Sequence, residues 1–225
     1  MIKAVLFDLD GTLLNTLDDL ADAANYALAA RGYPVHPVEA YKYFVGNGVI
    51  TLMERILPPE RNNKEEIDAA LEIYLPYYKA HSADKTAPYD GVNPLLSALA
   101  ELGVKRAVVT NKPNDQALEV ISRYFGEASF GAVCGNIPGL PPKPDPETAL
   151  KALCLLGASP EEALFLGDTK VDMLTAKNAG ATPIGALWGF RSREELSGHG
   201  AARIIERPLE LLDIIKEFNG GAVYA

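Results

Sequence analysis

The chain has 225 residues, 48% hydrophobic and 23% charged, the composition of an ordinary globular protein and not of a disordered one. Its 30 acidic residues outweigh 21 basic ones for a net charge of −9, which disfavours nucleic acid and anionic membranes as partners. No apolar run approaches the roughly 18 residues of a membrane span, and the N-terminus lacks the form of a signal peptide, so a cytoplasmic protein is expected.

The first element is an apolar run over 4–9 that carries Asp8 and ends before Asp10, with Gly11 and Thr12 directly behind. Side chains two apart in a strand share a side, so both carboxylates converge at the strand's end. Two carboxylates at close quarters repel unless a cation sits between them. A hard metal ion and an acid/base pair are the two readings.

Residues 16–82 follow a helical pattern. Thr16 with Asp19 predicts a capping box on a helix ending near Arg31-Gly32, and further helices are expected at 38–44, 49–57 and 64–80, kinked at Pro76. No strand is expected there. The pattern predicts a helical domain over 16–82 inserted into a core made of 1–15 and 83–225, well placed to cover the Asp8/Asp10 site.

Beyond the insert, apolar runs recur at 105–110, 129–134, 163–167, 183–188 and 202–206, several without alternation, as in parallel strands covered on both faces. Between them lie a Leu95/Leu99/Leu102 stripe closed by Gly103, and a helix opened by Asn114 and closed by Gly126. Another is opened by Asp145-Pro146-Glu147 and closed by Gly157. This alternation predicts a doubly wound α/β fold that binds ligands at the carboxyl ends of its strands. Cys134 and Cys154 have no metal-type spacing and are expected as two small buried thiols, with a single disulfide as the alternative.

Three more segments place polar chemistry at expected strand ends: Thr110-Asn111-Lys112, Lys143 in a proline-rich loop, and Gly167-Asp168-Thr169 with Asp172 beyond it. Alone, Thr110 is a turn former, Lys143 a solvated charge and Asp168 a helix cap. Together with Asp8 and Asp10 they suit phosphoryl transfer. Asp8, Asp168 and a carbonyl near Asp10 offer oxygen ligands for Mg²⁺. Thr110 and the backbone amides from Asp10 through Gly11 to Thr12 could hold phosphate oxygens, and Lys143 would balance charge. Asp8 could attack phosphorus and Asp10 could protonate the leaving oxygen, then activate water.

In order, Asp8-Leu9-Asp10-Gly11-Thr12, Thr110-Asn111, Lys143 and Gly167-Asp168-Thr169-Lys170-Val171-Asp172 resemble the four motifs of the haloacid dehalogenase-like hydrolases. The resemblance covers nearly the whole chain. It implies a Rossmann-like core, a helical cap after the first motif, Mg²⁺ and the nucleophile role for Asp8. It also implies that Asp172 belongs to the metal set, mainly behind the direct ligands. An aspartate at position 10 argues against the dehalogenases proper and against phosphonate hydrolases. Phe44 to Arg55, with Val109-Thr110-Asn111-Lys112-Pro113, further resembles phosphoglycolate phosphatases.

By that resemblance Gly46, Asn47 and Gly48 would meet the carboxylate end of a small substrate, with Arg55 assisting and Asn111 beside the phosphate. Physically the stretch also reads as an ordinary helix–helix turn, and Arg55 as a partner of Glu54 or of acids nearby. The expected activity is Mg²⁺-dependent hydrolysis of a small phosphorylated metabolite such as 2-phosphoglycolate, through an aspartyl-phosphate, by a monomer or weak homodimer. A β-phosphoglucomutase-like phosphomutase or a pyrophosphatase is the alternative on the same scaffold, and a regulatory protein with a vestigial site the non-enzymatic one. Trp188-Gly189-Phe190-Arg191 reads as packing or as a loop over the site, with packing preferred.

Overall fold

The computed structural model describes residues 1–220; residues 221–225 of the expected core lie outside the described residues. In chain order the elements are β1 (Ala4–Phe7), β2 (Leu14–Asn15), α1 (Leu17–Ala30), α2 (Val38–Phe44), α3 (Val49–Ile56) and α4 (Lys64–His81). They continue as β3 (Ala87–Pro88), α5 (Val92–Glu101), β4 (Lys105–Pro113), α6 (Asn114–Phe125), β5 (Ala132–Asn136) and α7 (Glu147–Leu156). The last are β6 (Ala163–Gly167), α8 (Lys170–Ala179), β7 (Thr182–Ala186), α9 (Arg193–Gly198), β8 (Arg203–Ile205) and α10 (Glu210–Phe218). Two compact units result: Met1–Leu13 with the chain from Pro88 onward, and Leu14–Ala87.

The first unit is built on six parallel strands in the order β5-β4-β1-β6-β7-β8. The four residues of β1 are wholly buried, as a central strand covered on both faces requires. On one face Leu6, Val109 and Phe165 pack with Ala149, Ala152 and Leu153 of α7 and Ala176 and Ala179 of α8; the small helix residues let backbone approach sheet closely. Phe7 pairs in register with Val108 on one side and Leu166 on the other. Three neighbouring strands are thus held in register, and the residues just beyond them share one edge of the sheet. No helix among the described residues is long and apolar enough to cross a membrane.

The caps match the sequence in part. Gly157 and Gly180 close α7 and α8 in the left-handed conformation, where glycine avoids the Cβ penalty. Asn114 does not cap α6 as expected: Pro113 stands at the cap, and the Asn114 carboxamide accepts from the Gly135 N–H at 2.9 Å. Cys134 is buried, but Cys154 is exposed on α7, against the expectation of two buried thiols; both are free.

The second unit packs α1 to α4 around Ala24, Ala27, Leu28, Tyr41, Met53, Tyr74 and Tyr78. Helix α4 runs through Pro76 as one element and is capped by Asn63, whose side chain accepts from the Glu66 N–H. Two short strands lie outside the helical pattern, β2 and β3, which pair with each other. The capping box expected at Thr16 and Asp19 does not form. Asp19 instead accepts from the backbone N–H groups of Lys85 and Thr86 and from the Thr86 hydroxyl. The Thr16 hydroxyl is buried without a hydrogen-bond partner among the described residues. A distant donor set has outcompeted the local one.

Candidate active site

The aligned ends of β4, β1 and β6 bring the expected residues together. Asp8 follows β1 and still belongs to the ladder, its N–H donating to the Leu166 carbonyl at 2.9 Å. Asp168 follows β6, and Asp172 sits in the first turn of α8. Among the described residues Asp8, Asp168 and Asp172 form a buried cluster, each offering an oxygen within 4.8 Å of the others.

Lys143 lies inside this cluster. Its ammonium donates to Asp8 Oδ1 at 2.8 Å and to Asp172 Oδ1 at 2.6 Å, and its side chain is 2% exposed. Asp172 divides its oxygens: Oδ1 meets Lys143, while Oδ2 accepts from the Thr169 hydroxyl at 2.7 Å and N–H at 3.0 Å. That second set is a capping box on α8, so one carboxylate starts the helix and positions the lysine.

The charges do not balance. Three carboxylates face one ammonium, and the consequence falls on Asp8 and Asp168. Burial, then the neighbouring Asp172, push the Asp8 carboxyl up to about 7, against the pull of Lys143. Burial, Asp172 and Asp8 hold Asp168 well above the usual carboxylate range, partly offset by the Phe190 N–H and Arg191. For Lys143 burial alone would lower the pKa, but Asp172 and Asp8 outweigh it and hold the amine above its ordinary value. Buried carboxylates in this state want a cation. All three donors are hard oxygens, the set that Mg²⁺ prefers.

Asp10 stands apart from the three. Its carboxylate pairs with Lys112, at 3.1 and 3.3 Å, and lies outside the metal-capable cluster. Lys112, whose side chain is 3% exposed, ends the Thr110-Asn111-Lys112 segment noted in the sequence, but its pairing with Asp10 gives it a role that the segment alone does not assign. Thr110 is buried and its hydroxyl accepts from the Lys112 N–H at 3.2 Å. Asn111 bonds the backbone of Lys143 in both directions. Thr12 directs its hydroxyl to Asp168 Oδ1 at 3.1 Å.

Gly11 is irreplaceable on two grounds: its φ is +91°, and a Cβ there would stand 2.4 Å from Asp168 Oδ2. The Trp188–Arg191 stretch belongs to the site more than a packing role would require. The Trp188 indole N–H donates to the Thr12 carbonyl at 3.0 Å and the Phe190 N–H to Asp168 Oδ2 at 2.7 Å. A Cβ on Gly189 would stand 2.3 Å from the Asp168 Cβ. Tyr89, also unpredicted, has its phenol pushed up by burial and by Asp168 and Asp10.

In the helical unit, Gly46, Asn47 and Gly48 precede α3, with φ of +107° at Gly46 and +87° at Gly48. Arg55 turns to this loop. Its guanidinium donates to the Phe44 carbonyl at 2.9 Å, the Tyr43 carbonyl at 3.3 Å and Asn47 Oδ1 at 2.8 Å. The arginine thus braces the loop's own shape.

Comparison with known proteins agrees with this geometry. The family model described as haloacid dehalogenase-like hydrolase matches residues 5–186. The N-acetylmuramic acid 6-phosphate phosphatase of Pseudomonas aeruginosa is 33% identical over 216 residues, covering 95% of each chain. The phosphoglycolate phosphatase of Mannheimia succiniciproducens is 33% identical over 222 residues, 95% of this chain and 98% of that one. A solved structure from Lactobacillus delbrueckii subsp. bulgaricus, proposed to be a phosphoglycolate phosphatase, superposes with a TM-score of 0.90 at 33% identity, covering 95% of this chain and 98% of that one. A haloacid dehalogenase-like family hydrolase from Streptococcus pneumoniae does so at 0.85 and 27%, with the same coverage.

Proposed function

This chain belongs to the haloacid dehalogenase-like hydrolases, and from that premise we propose that it is a Mg²⁺-dependent phosphatase of small phosphomonoesters, working through an aspartyl-phosphate on Asp8. The observation that carries the reading is Lys143 held between Asp8 and Asp172 beside Asp168. Asp8, Asp168 and Asp172 would hold the metal, together with the Asp10 carbonyl. Once bound there, Mg²⁺ would supply charge neutralisation for the phosphoryl oxygens and for the carboxylates that hold it.

The chain's own residues account for the rest. Asp8 supplies the attacking oxygen, displacing the alcohol from phosphorus. Asp10 gives the leaving oxygen its proton and then takes one from the water that cleaves the acyl phosphate, returning Asp8 and inorganic phosphate. Lys143 offsets charge on nucleophile and phosphoryl group. Thr110 and the amides at Gly11 and Thr12 hold the remaining phosphate oxygens, a hydroxyl and backbone N–H groups being the neutral donors such oxygens take. Gly46, Asn47, Gly48 and Arg55 form the candidate specificity loop, since loops on a fixed scaffold carry substrate choice.

2-Phosphoglycolate is the favoured substrate, by the Mannheimia relative and the resemblance of the cap loop. N-Acetylmuramic acid 6-phosphate is the second reading, supported by the Pseudomonas relative that covers 95% of this chain. Phosphate release with Mg²⁺ across a panel holding both, read as kcat/KM, decides between them. Asp8→Asn is expected to abolish release in a protein with unchanged circular dichroism. Substantial turnover by that variant would remove Asp8 as nucleophile, and isomerised sugar phosphate without release would establish a mutase.

A further inference from the structure

Lys143 sits in a stretch, residues 137–146, that has neither helix nor strand, so no ladder fixes where its long side chain begins. The Asn111 carboxamide supplies what a neighbouring strand would. Its Oδ1 accepts from the Lys143 N–H at 2.8 Å and its Nδ2 donates to the Lys143 carbonyl at 3.2 Å. Asn111 is 5% exposed and Lys143 3%, so both bonds form out of water, where an unmade one is costly. Asn178 of α8 adds a single bond to the next carbonyl, Pro144, at 2.8 Å, from an exposed position.

Only an amide suits the task at 111. It is donor and acceptor at once and carries no charge. An aspartate would oppose the Lys143 carbonyl and add another carboxylate beside an acidic cluster.

We propose that Asn111 is a positioning residue: by gripping the main chain of Lys143 it fixes the ammonium between Asp8 and Asp172, and so sets how strongly those carboxylates draw a divalent cation. The ammonium and the metal share the same carboxylates, so withdrawing the former strengthens the hold on the latter. This revises the sequence-based expectation that Asn111 touches substrate. It rests on the phosphatase reading for its effect on turnover and on the cluster geometry for its effect on metal.

The test is calorimetric titration of Mg²⁺ into the wild-type protein, Lys143→Ala and Asn111→Ala, with phosphatase turnover measured alongside. Removing the lysine side chain should tighten Mg²⁺ about tenfold, and Asn111→Ala about threefold in the same direction, because a nearby positive charge that competes for the carboxylates is removed or loosened. Turnover should fall in both. Should Asn111→Ala not fold, Asn111→Ser replaces it, since a hydroxyl is too short to make both bonds. Unchanged or weakened Mg²⁺ binding in the Asn111 variant overturns the proposal, because a residue that only touches substrate or only supports the fold would not tighten the metal. Failure of Lys143→Ala to tighten it overturns the electrostatic premise as well. A wild-type protein inert toward every phosphomonoester would refute the phosphatase reading instead, and leave the titrations to judge Asn111.

Discussion

Two helix starts carry the same sequence signature and use it differently. Thr16 and Asp19 open α1, and Thr169 and Asp172 open α8, each pair a threonine followed three residues on by an aspartate. At α8 the box closes, with Asp172 Oδ2 accepting from both the hydroxyl and the N–H of Thr169. At α1 it stays open, because Asp19 is taken by Lys85 and Thr86, which lie 66 and 67 residues further along the chain. The signature names a residue type. Which donor takes the carboxylate is settled by what the fold brings near.

The two aspartates also differ in what their neighbours do to them. Asp19 is surrounded by donors. Asp172 meets donors and, close by, two more carboxylates, Asp8 and Asp168, whose ionisation it opposes. The first arrangement serves the fold alone. The second keeps a site short of positive charge, which is what a metal-dependent enzyme needs before its metal arrives.

The largest expected contrast comes from removing each carboxylate. Asp172→Asn keeps the shape but releases Lys143, and turnover should drop about a hundredfold. Stability in metal-free buffer should hold or rise, because repulsion on Asp8 and Asp168 is relieved. Asp19→Ala should do the opposite, costing about 2–3 kcal/mol through buried donors left unmatched while leaving the chemistry of the folded fraction alone. Urea unfolding and steady-state kinetics on both variants would show it. A stability loss at Asp172 as large as that at Asp19 would erase the distinction.

Proton linkage gives the next largest effect. With Asp8 near 7 in the folded chain and the ordinary carboxylate value near 3.8 when unfolded, the folded state binds the extra proton between those values. Metal-free stability must therefore fall as pH rises from about 4 to 7 and level off above. Asp168 acts in the same sense. Lys143, raised instead, loses its contribution only well above that window. The melting temperature should drop by about 5 °C between pH 5 and pH 8 without metal, and saturating Mg²⁺ should remove the drop. A flat metal-free profile would mean the cluster is not short of charge.

Much of the fold and of the site is legible in the sequence because parallel strands announce themselves. Residues 163–167 predict a strand and form β6, since an unbroken apolar run between Glu162 and Asp168 has nowhere else to go. The carboxylates at strand ends are visible for the same reason, and Lys143 gains its role only in conjunction with them. Contacts that depend on three dimensions are not. Lys112 against Asp10, Trp188 against Thr12 and the amide grip of Asn111 on Lys143 join positions 102, 176 and 32 residues apart. A sequence carries no local trace of such pairings. Asn114 has the residue type of a cap but serves elsewhere, because its partner Gly135 lies on β5.

The smallest effect is the sharpest test of the opening contrast. Thr16→Val removes a buried hydroxyl that has no partner among the described residues and keeps the side chain's volume. An unsatisfied hydroxyl out of water is a liability, so this substitution should stabilise the protein by about 0.5–1 kcal/mol. Thr169→Val deletes the matching hydroxyl at α8, where it donates to Asp172 at 2.7 Å, and should cost about 1 kcal/mol, the usual worth of a helix N-cap. It should also lower turnover a few-fold, because Asp172 loses one of the bonds that aims its other oxygen at Lys143. The same substitution at the same place in the same signature thus carries opposite signs. Equal signs would mean that a donor not seen at Thr16 satisfies it after all, and that the two helix starts are alike.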